Sequence, residues 1–263
     1  MRQNSPPNTG RNVLQNYLLY LAGVLLVLSL WQLASILVGL EIILPAPIQA
    51  AKVTLQMAGT RSFWESVGAT VGRGLLGFFI SLAAGLLFGG IAGLSRAAAR
   101  LLEPAVSVVR STPVMSVILL ALIWFPVGIV PVFVAFLMAF PVIYTSVAEG
   151  IRRVDTDLLE MSDTYRVPRG RVMRFLYLPS IYPYFASGSR SALGLTWKVV
   201  VAAEVLSQPT LGIGAGLQEA RALLLTSAVF AWTLVAVVLS GLSDALFFLL
   251  TIRYRRAVSG VKE

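Results

Sequence analysis

The sequence predicts an all-α, polytopic membrane protein with six transmembrane helices, and three observations carry that prediction. Hydrophobic residues make up 57% of the chain, charged residues only 13%, and the mean hydropathy is +0.82. A soluble fold of this size would need far more polar surface. Apolar runs of about 20 residues, the length that crosses a bilayer as a helix, recur near 17–39, 66–94, 104–125, 128–149, 180–206 and 227–252. Cationic side chains gather in alternate connections between these runs, as they do in loops that face an anionic cytoplasmic surface.

The chain opens on a polar tail, 1–16. No small-residue cleavage pattern follows the first apolar run, which therefore reads as a retained helix rather than a signal peptide. An outer amphipathic segment reaches to residue 65, with Leu44-Pro45-Ala46-Pro47 ahead of it, and a core of 66–252 follows. The second run is rich in glycine, and Gly85, Gly89 and Gly93 repeat on one face. Small residues let helices approach closely in lipid, so packing is the reading for this stripe. Only Pro126 to Pro131 separates the third run from the fourth, which predicts a tight helical hairpin. The chain closes on a basic tail, 253–263.

Orientation follows from the cations. With the N-terminus inside, one side holds Arg2, Arg11, Arg96, Arg100, Arg152, Arg153, a cluster from Arg166 to Arg174, Arg253, Arg255, Arg256 and Lys262; the other holds Lys52, Arg61 and Arg221. The positive-inside rule then puts both termini in the cytoplasm. The net charge of +9 belongs to this pattern, so the expected partner is the lipid bilayer and not nucleic acid. The chain has no cysteine and no histidine. That removes disulfides, Cys/His zinc sites and Ser-His or Cys-His catalysis, and no metal or cofactor is expected.

The connection 150–179 is too polar to span and too patterned to be a plain linker. Asp155 is placed to cap a short helix whose positive end faces Asp157 and Glu160. Leu158, Leu159 and Ser162 give that helix a semi-apolar side. Pro168 fits the first turn of a second short helix carrying Arg169, Arg171 and Arg174. The physics leaves two readings: an amphipathic connector resting on headgroups, or a docking element for a cytoplasmic partner.

Ionisable groups inside spans are costly and mark candidate functional positions. Arg110 would stand about 9 Å inside the third run, with Arg73 at a similar depth from the outer edge; both can snorkel to the surface. Arg190 and Lys198 lie deeper in the fifth run, about 12 Å apart along the helix and roughly 80° around it, so both can look toward one water-filled side. Glu204, near the outer end, is about 120° from Lys198 and is not expected to pair with it. The pathway candidates are thus Arg110, Arg190, Lys198 and Glu204, with structural salt bridges, such as Arg190 to Asp244, as the rival account.

At the polar connection the chain resembles the permease subunits of ATP-binding-cassette importers. Glu160-Met161-Ser162 stands where that family has Glu-Ala-Ala, and Tyr177-Leu178-Pro179 closes the motif at the family's distance. More of the chain is similar to the nitrate/sulfonate/taurine branch: Leu44-Pro45-Ala46-Pro47, Arg110-Ser111-Thr112-Pro113, Gly150-Ile151-Arg152 with Asp155, Ala202-Ala203-Glu204, and Leu211-Gly212-Ile213-Gly214, in order from about 44 to 252.

The resemblance implies a type I importer core with a cytoplasmic coupling-helix pair, in the bacterial inner membrane. It implies a homodimer with two ATPase subunits, and a soluble extracytoplasmic protein that delivers a small anion. It implies that Asp157, Leu158, Glu160, Met161, Ser162, Tyr165, Arg166 and Pro168 meet the ATPase. The motif glycine falls at Arg166, where a left-handed turn costs an L-residue about 1–2 kcal/mol. The turn is therefore expected to differ, or to be reshaped by Val167-Pro168. Independently, the only lysines are Lys52, Lys198 and Lys262, and none follows glycine. The chain lacks a phosphate-cradling loop of the Gly-Lys-Ser/Thr kind, so hydrolysis belongs to another polypeptide. An ion-coupled secondary transporter relaying protons through Glu204 or Asp244 would leave the patterned loop unexplained. An intramembrane enzyme lacks any cluster of catalytic groups.

Overall fold

The structure, a computed structural model, describes residues 9–259, with side chains at Gln15 and from Leu18 to Thr251. Arg2 and Lys262 lie outside the described residues, as do the side chains of Arg11, Arg253, Arg255 and Arg256. The described chain is helical throughout, without strands: α1 Thr9–Val38, α2 Pro47–Ala58, α3 Arg61–Leu94, α4 Arg96–Ser111, α5 Val114–Trp124, α6 Val130–Arg152, α7 Thr156–Thr164, α8 Arg169–Val172, a π turn at Met173–Tyr177, α9 Leu178–Ser207, α10 Ile213–Ala222 and α11 Thr226–Ser259. The first helix starts inside the expected polar tail, and the last extends past 252.

Helices α3, α6 and α9 form the centre. Phe78, Ile143, Val147, Leu193 and Trp197 interlock there. The glycine stripe is what lets α3 lie against α6. A methyl built on Gly85 would stand 2.6 Å from Ile143 Cγ2, and one on Gly89 2.7 Å from the Tyr144 carbonyl oxygen. A stripe of larger residues would hold the backbones apart and forfeit those dispersion contacts. Gly68, Gly72 and Gly90 face open space instead. Trp197, nearly fully buried, lies over Gly74.

Four described helices, α1, α3, α6 and α11, are long and apolar enough to cross a membrane, and counting α4 with α5 as one broken span makes five. The third run is therefore not a straight helix: α4 and α5 meet at 99°. Pro113 has no N–H to continue the ladder, and it drives Thr112 into extended backbone, φ −72° and ψ 127°. Arg110 consequently sits in the last turn of α4, before the bend, and not within a continuous span. The hairpin of α5 and α6 forms as expected around Phe125 and Phe133, whose ring centroids are 4.7 Å apart. Helix α9 is 30 residues long but carries Arg190, Lys198 and Glu204.

Helix α1 stands apart with its leucines exposed. It is tethered through Trp31 Nε1 donating to the Pro45 carbonyl at 3.1 Å, Ser35 Oγ donating to Leu44 O at 3.0 Å, and Trp31 stacking on Phe230. Proline at the first turn starts α2, where the Gln49 side chain closes back on the Ala46 N–H at 3.0 Å.

Candidate functional site

Three clusters hold the residues singled out in the sequence. The first is the polar connection after α6. Asp155 Oδ1 accepts from the N–H groups of Asp157, at 2.9 Å, and Leu158, at 3.4 Å, and so caps α7. Leu159 and Ser162 turn inward, Ser162 being buried, whereas Leu158, Met161 and Tyr165 are 41%, 52% and 76% exposed. Those three recur at helical spacing, so α7 presents an apolar stripe to its surroundings, flanked by exposed Asp157 and Glu160. The sequence placed the apolar side on Leu158, Leu159 and Ser162; the structure divides that set between an inner and an outer face.

The end of α7 keeps the left-handed turn that was expected to change. Arg166 adopts φ +51°. Its N–H donates to Asp163 O at 3.0 Å, and the Val167 N–H donates to Ser162 O at 2.8 Å, the paired bonds of a Schellman stop. Arg166 thus occupies the glycine position and bears its strain. Pro168 then precedes α8 in extended backbone rather than sitting inside its first turn. The second short helix is not separate, because α8 runs through the π turn into α9. Pro179 accounts for the junction: it has no N–H, and its ring crowds the carbonyl four residues earlier. The ladder shifts instead to the five-residue bond from the Leu178 N–H to Met173 O.

The second cluster is at the far end of α9. Glu204 is fully buried. Thr70 Oγ1 lies 3.0 and 2.8 Å from its two carboxylate oxygens, Arg73 Nη1 donates to Oε1 at 2.7 Å, and the Gly214 N–H donates to Oε2 at 3.0 Å. Arg73 also reaches Leu211 O at 2.7 Å, and the Ile213 N–H donates to Thr70 Oγ1 at 2.8 Å. Arg73 therefore does not snorkel; it closes an ion pair across 131 residues of chain. The Gly-x-Gly at 212–214 makes room for it, since a methyl on Gly212 would stand 2.7 Å from the Glu204 carboxylate. Thr70 and the backbone of the 211–214 turn were not foreseen from the sequence; the buried-carboxylate rule would have asked for such partners without naming them.

The third cluster lies on the outer face of α9 and α11. Ser187, Arg190, Ser191, Gly194 and Lys198 line a depression of about 680 Å³ with Ser240, Gly241 and Asp244. Arg190 forks onto Asp244, Nε to Oδ1 at 2.5 Å and Nη2 to Oδ2 at 2.7 Å, with its guanidinium 5.3 Å from the Phe248 ring centre. Lys198 is exposed and has no ion pair among the described residues. Arg190 and Lys198 do share a face, but the charge of Arg190 is neutralised by Asp244. Arg110 lies elsewhere, in a separate cavity between α4 and α6. No group of three or more Asp or Glu among the described residues is arranged to hold a metal ion.

Comparison with known proteins matches residues 81–256 to the model of a family described as binding-protein-dependent transport system inner membrane component. The taurine transport system permease of Escherichia coli is 28% identical over 81% of this chain and 80% of its own length. The E. coli protein described as an aliphatic sulfonates transport permease is 31% identical over 83% of each. The nitrate import permease of Synechococcus elongatus is 28% identical over 73% of each. Among solved structures, a chain of an amino acid ABC transporter superposes with a TM-score of 0.58 at 15% identity, covering 73% of this chain and 92% of that one. A chain of the inward-facing methionine transporter gives 0.50 at 20% identity, covering 75% and 94%. At these identities the structural likeness speaks to the fold alone.

Proposed function

Since this chain belongs to the family of binding-protein-dependent transport system inner membrane components, we propose that, with a second copy of itself, it forms the translocation path of an ATP-binding-cassette importer for a small anion. One observation carries the proposal: a capped surface helix, α7, turns Leu158, Met161 and Tyr165 outward at the arginine-rich end of the bundle. An exposed apolar stripe rimmed by carboxylates marks a protein contact. The partner that fits is an ATPase, one for each copy, because the chain has no phosphate-binding loop of its own. Asp157, Glu160, Arg166 and Pro168 border that contact. Ser162 is buried and lies on the inner side of α7, behind that contact.

On this reading α9 also crosses the membrane, fifth in chain order, and brings the count to six. Its 30 residues reach about 45 Å. Both termini lie in the cytoplasm, and a soluble binding protein delivers the solute to the opposite end. The depression around Lys198 faces the second copy across the path. A face that carries three serines, a free ammonium and the Arg190–Asp244 pair beside Leu195 belongs against water or protein and not lipid. Nitrate, bicarbonate and aliphatic sulfonates, named for relatives, support the class of small anions, and taurine, also named, shares the sulfonate head. Lys198 attracts such an ion more strongly in a low-dielectric cavity than in water, yet one exposed cation lets it leave. Glu204 belongs to the frame of the path through its ties to α3.

The test is reconstitution with the ATPase in liposomes. Glu160→Lys is expected to leave the permease folded and inserted while abolishing solute-stimulated ATP hydrolysis and uptake. Lys198→Ala is expected to lower uptake with assembly intact. Full coupling in Glu160→Lys and in a Met161→Asp/Tyr165→Asp variant together would refute docking through α7.

A further inference from the structure

Arg166 ends α7 with φ +51°, a backbone that is strained for any residue carrying a Cβ and that glycine would hold without strain. Nothing its side chain does within the described residues offsets that strain. The guanidinium is exposed and has no hydrogen bond or ion pair there. Asp163, three residues earlier, accepts the Arg166 N–H on its backbone carbonyl at 3.0 Å, but its carboxylate stays unpaired. Strained backbone of this kind gathers at clamps and switch points, where something other than local preference holds it. Charge is sharply divided at the same turn. From Asp155 to Tyr165 the chain carries Asp155, Asp157, Glu160 and Asp163 and no cation; from Arg166 to Pro179 it carries Arg166, Arg169, Arg171 and Arg174 and no carboxylate. Arg166 is the first cation past that division, and it directly follows Tyr165, the last and most exposed member of the apolar stripe. Arg174 stands on the helix that runs into α9, with its guanidinium 5.9 Å from the Phe175 ring centre.

We propose that Arg166 is a partner-selecting residue, which requires a carboxylate on the ATPase surface beside the patch that covers Leu158, Met161 and Tyr165. The inference rests on the reading of α7 as the docking helix. A guanidinium presents a planar fork of donors that a carboxylate accepts in two parallel bonds, and Arg166 has no acceptor of its own. Covered next to an apolar stripe and left unpaired, it would be costly to desolvate. An ATPase with an apolar or basic rim is thereby rejected, and one with a carboxylate in place is accepted. Glycine at 166 would leave the same turn free of strain and the same stripe open to any ATPase. The side chain therefore adds discrimination at the expense of the chain's own stability, and that opposition is its signature.

The experiment is equilibrium binding between the full-length chain, in nanodiscs of neutral phosphatidylcholine, and the ATPase that supports its uptake in liposomes. Arg166→Gly is expected to raise the unfolding midpoint by about 2–4 °C and yet to weaken ATPase binding by roughly tenfold, the scale of one charge-assisted hydrogen bond. Arg166→Gln keeps the strain and loses the charge, so it is expected to weaken binding as much with no gain in midpoint. Wild-type binding is expected to fall as salt rises, and Arg166→Gln binding to fall less. Arg166→Glu is expected to abolish binding and to regain it when one Asp or Glu of the ATPase is changed to Lys. Wild-type affinity in both Arg166→Gly and Arg166→Gln overturns the proposal. So does a lowered midpoint in Arg166→Gly, which would make the side chain a support of this chain's own fold. So does a loss of binding confined to nanodiscs that contain phosphatidylglycerol, which would make anionic headgroups its partner. Unchanged Arg166 variants alongside lost binding in Met161→Asp/Tyr165→Asp would sink this inference and leave α7 as the docking helix; full binding in that double variant would instead refute the docking reading itself.

Discussion

Glu204 and Arg73 show what a charged residue inside an apolar bundle requires. The carboxylate is fully enclosed, and both of its oxygens are occupied, by Thr70, Arg73 and the Gly214 N–H. Removing one member of such a set strands the other, which costs about 3–5 kcal/mol in buried pairs. Arg73 keeps the Leu211 carbonyl and some exposure, so Glu204→Ala should fall at the lower end of that range, and Arg73→Met added to it should recover part of the loss. A double-mutant cycle read by thermal unfolding of the purified protein checks this; strictly additive losses would mean that the two charges do not depend on each other. The Arg190–Asp244 bridge could be read from the sequence as a rival account, because both residues fall at similar depth by counting. The partner of Glu204 could not. Nothing in periodicity says which faces of two spans meet across 131 residues, and Arg73 alone looked like a snorkelling side chain. Arg166 carries a different lesson. The resemblance marked a glycine position, and the strain expected of an L-residue argued for a new turn. The two Schellman bonds nonetheless hold the left-handed geometry.

At the scale of elements, the long apolar runs and the hairpin were legible because length and hydrophobicity are summed over many residues. Breaks were not, because one or two residues decide them. The Thr112-Pro113 pair held the signal for the 99° bend, but an apolar run drawn across it hid the break. The π turn before α9 needed knowledge of where the Pro179 clash would be relieved. The division of α7 into an inner Leu159–Ser162 side and an outer Leu158–Met161–Tyr165 side depends on what packs beneath it, which the helix itself does not encode. The glycine stripe of α3 offers a contrast within a single element. Gly89 faces the Tyr144 carbonyl at 2.7 Å from a would-be methyl, whereas its neighbour Gly90 has nothing within 4 Å. Gly89→Leu must therefore push α3 and α6 apart, and should cost at least the ~1–3 kcal/mol typical of overpacking. Gly90→Leu should be close to neutral, since it lies in open space and leucine favours the helix over glycine. Unfolding midpoints of the two variants side by side decide the matter; equal losses would show that helix position, and not the α3–α6 contact, sets the requirement.

For the whole molecule, the decisive quantity is the distribution of cations between the two ends of the bundle. Arg96, Arg100, Arg152, Arg153, Arg166, Arg169, Arg171 and Arg174 all follow or precede helices at the end where α3 and α6 finish and α9 begins, whereas Arg61 and Arg221 flank the opposite end. Cations near the ends of apolar helices resist translocation and favour the side with anionic lipid. The end bearing α7 is therefore predicted to be cytoplasmic, and the end bearing the 208–212 turn to face outward. The chain has no cysteine, so single cysteines can report each side without background. Asp163, on α7, and Gln208, after α9, are both exposed, whereas Ser207 is buried and would label poorly whichever way the protein sits. In intact cells, Gln208→Cys should react with a membrane-impermeant maleimide. Asp163→Cys should react only after the membrane is opened. The reverse pattern would invert the orientation and move α7, with its exposed apolar stripe, to a side where no ATPase could reach it. Labelling of both positions from outside would break the span count between them, because α9 would then not cross.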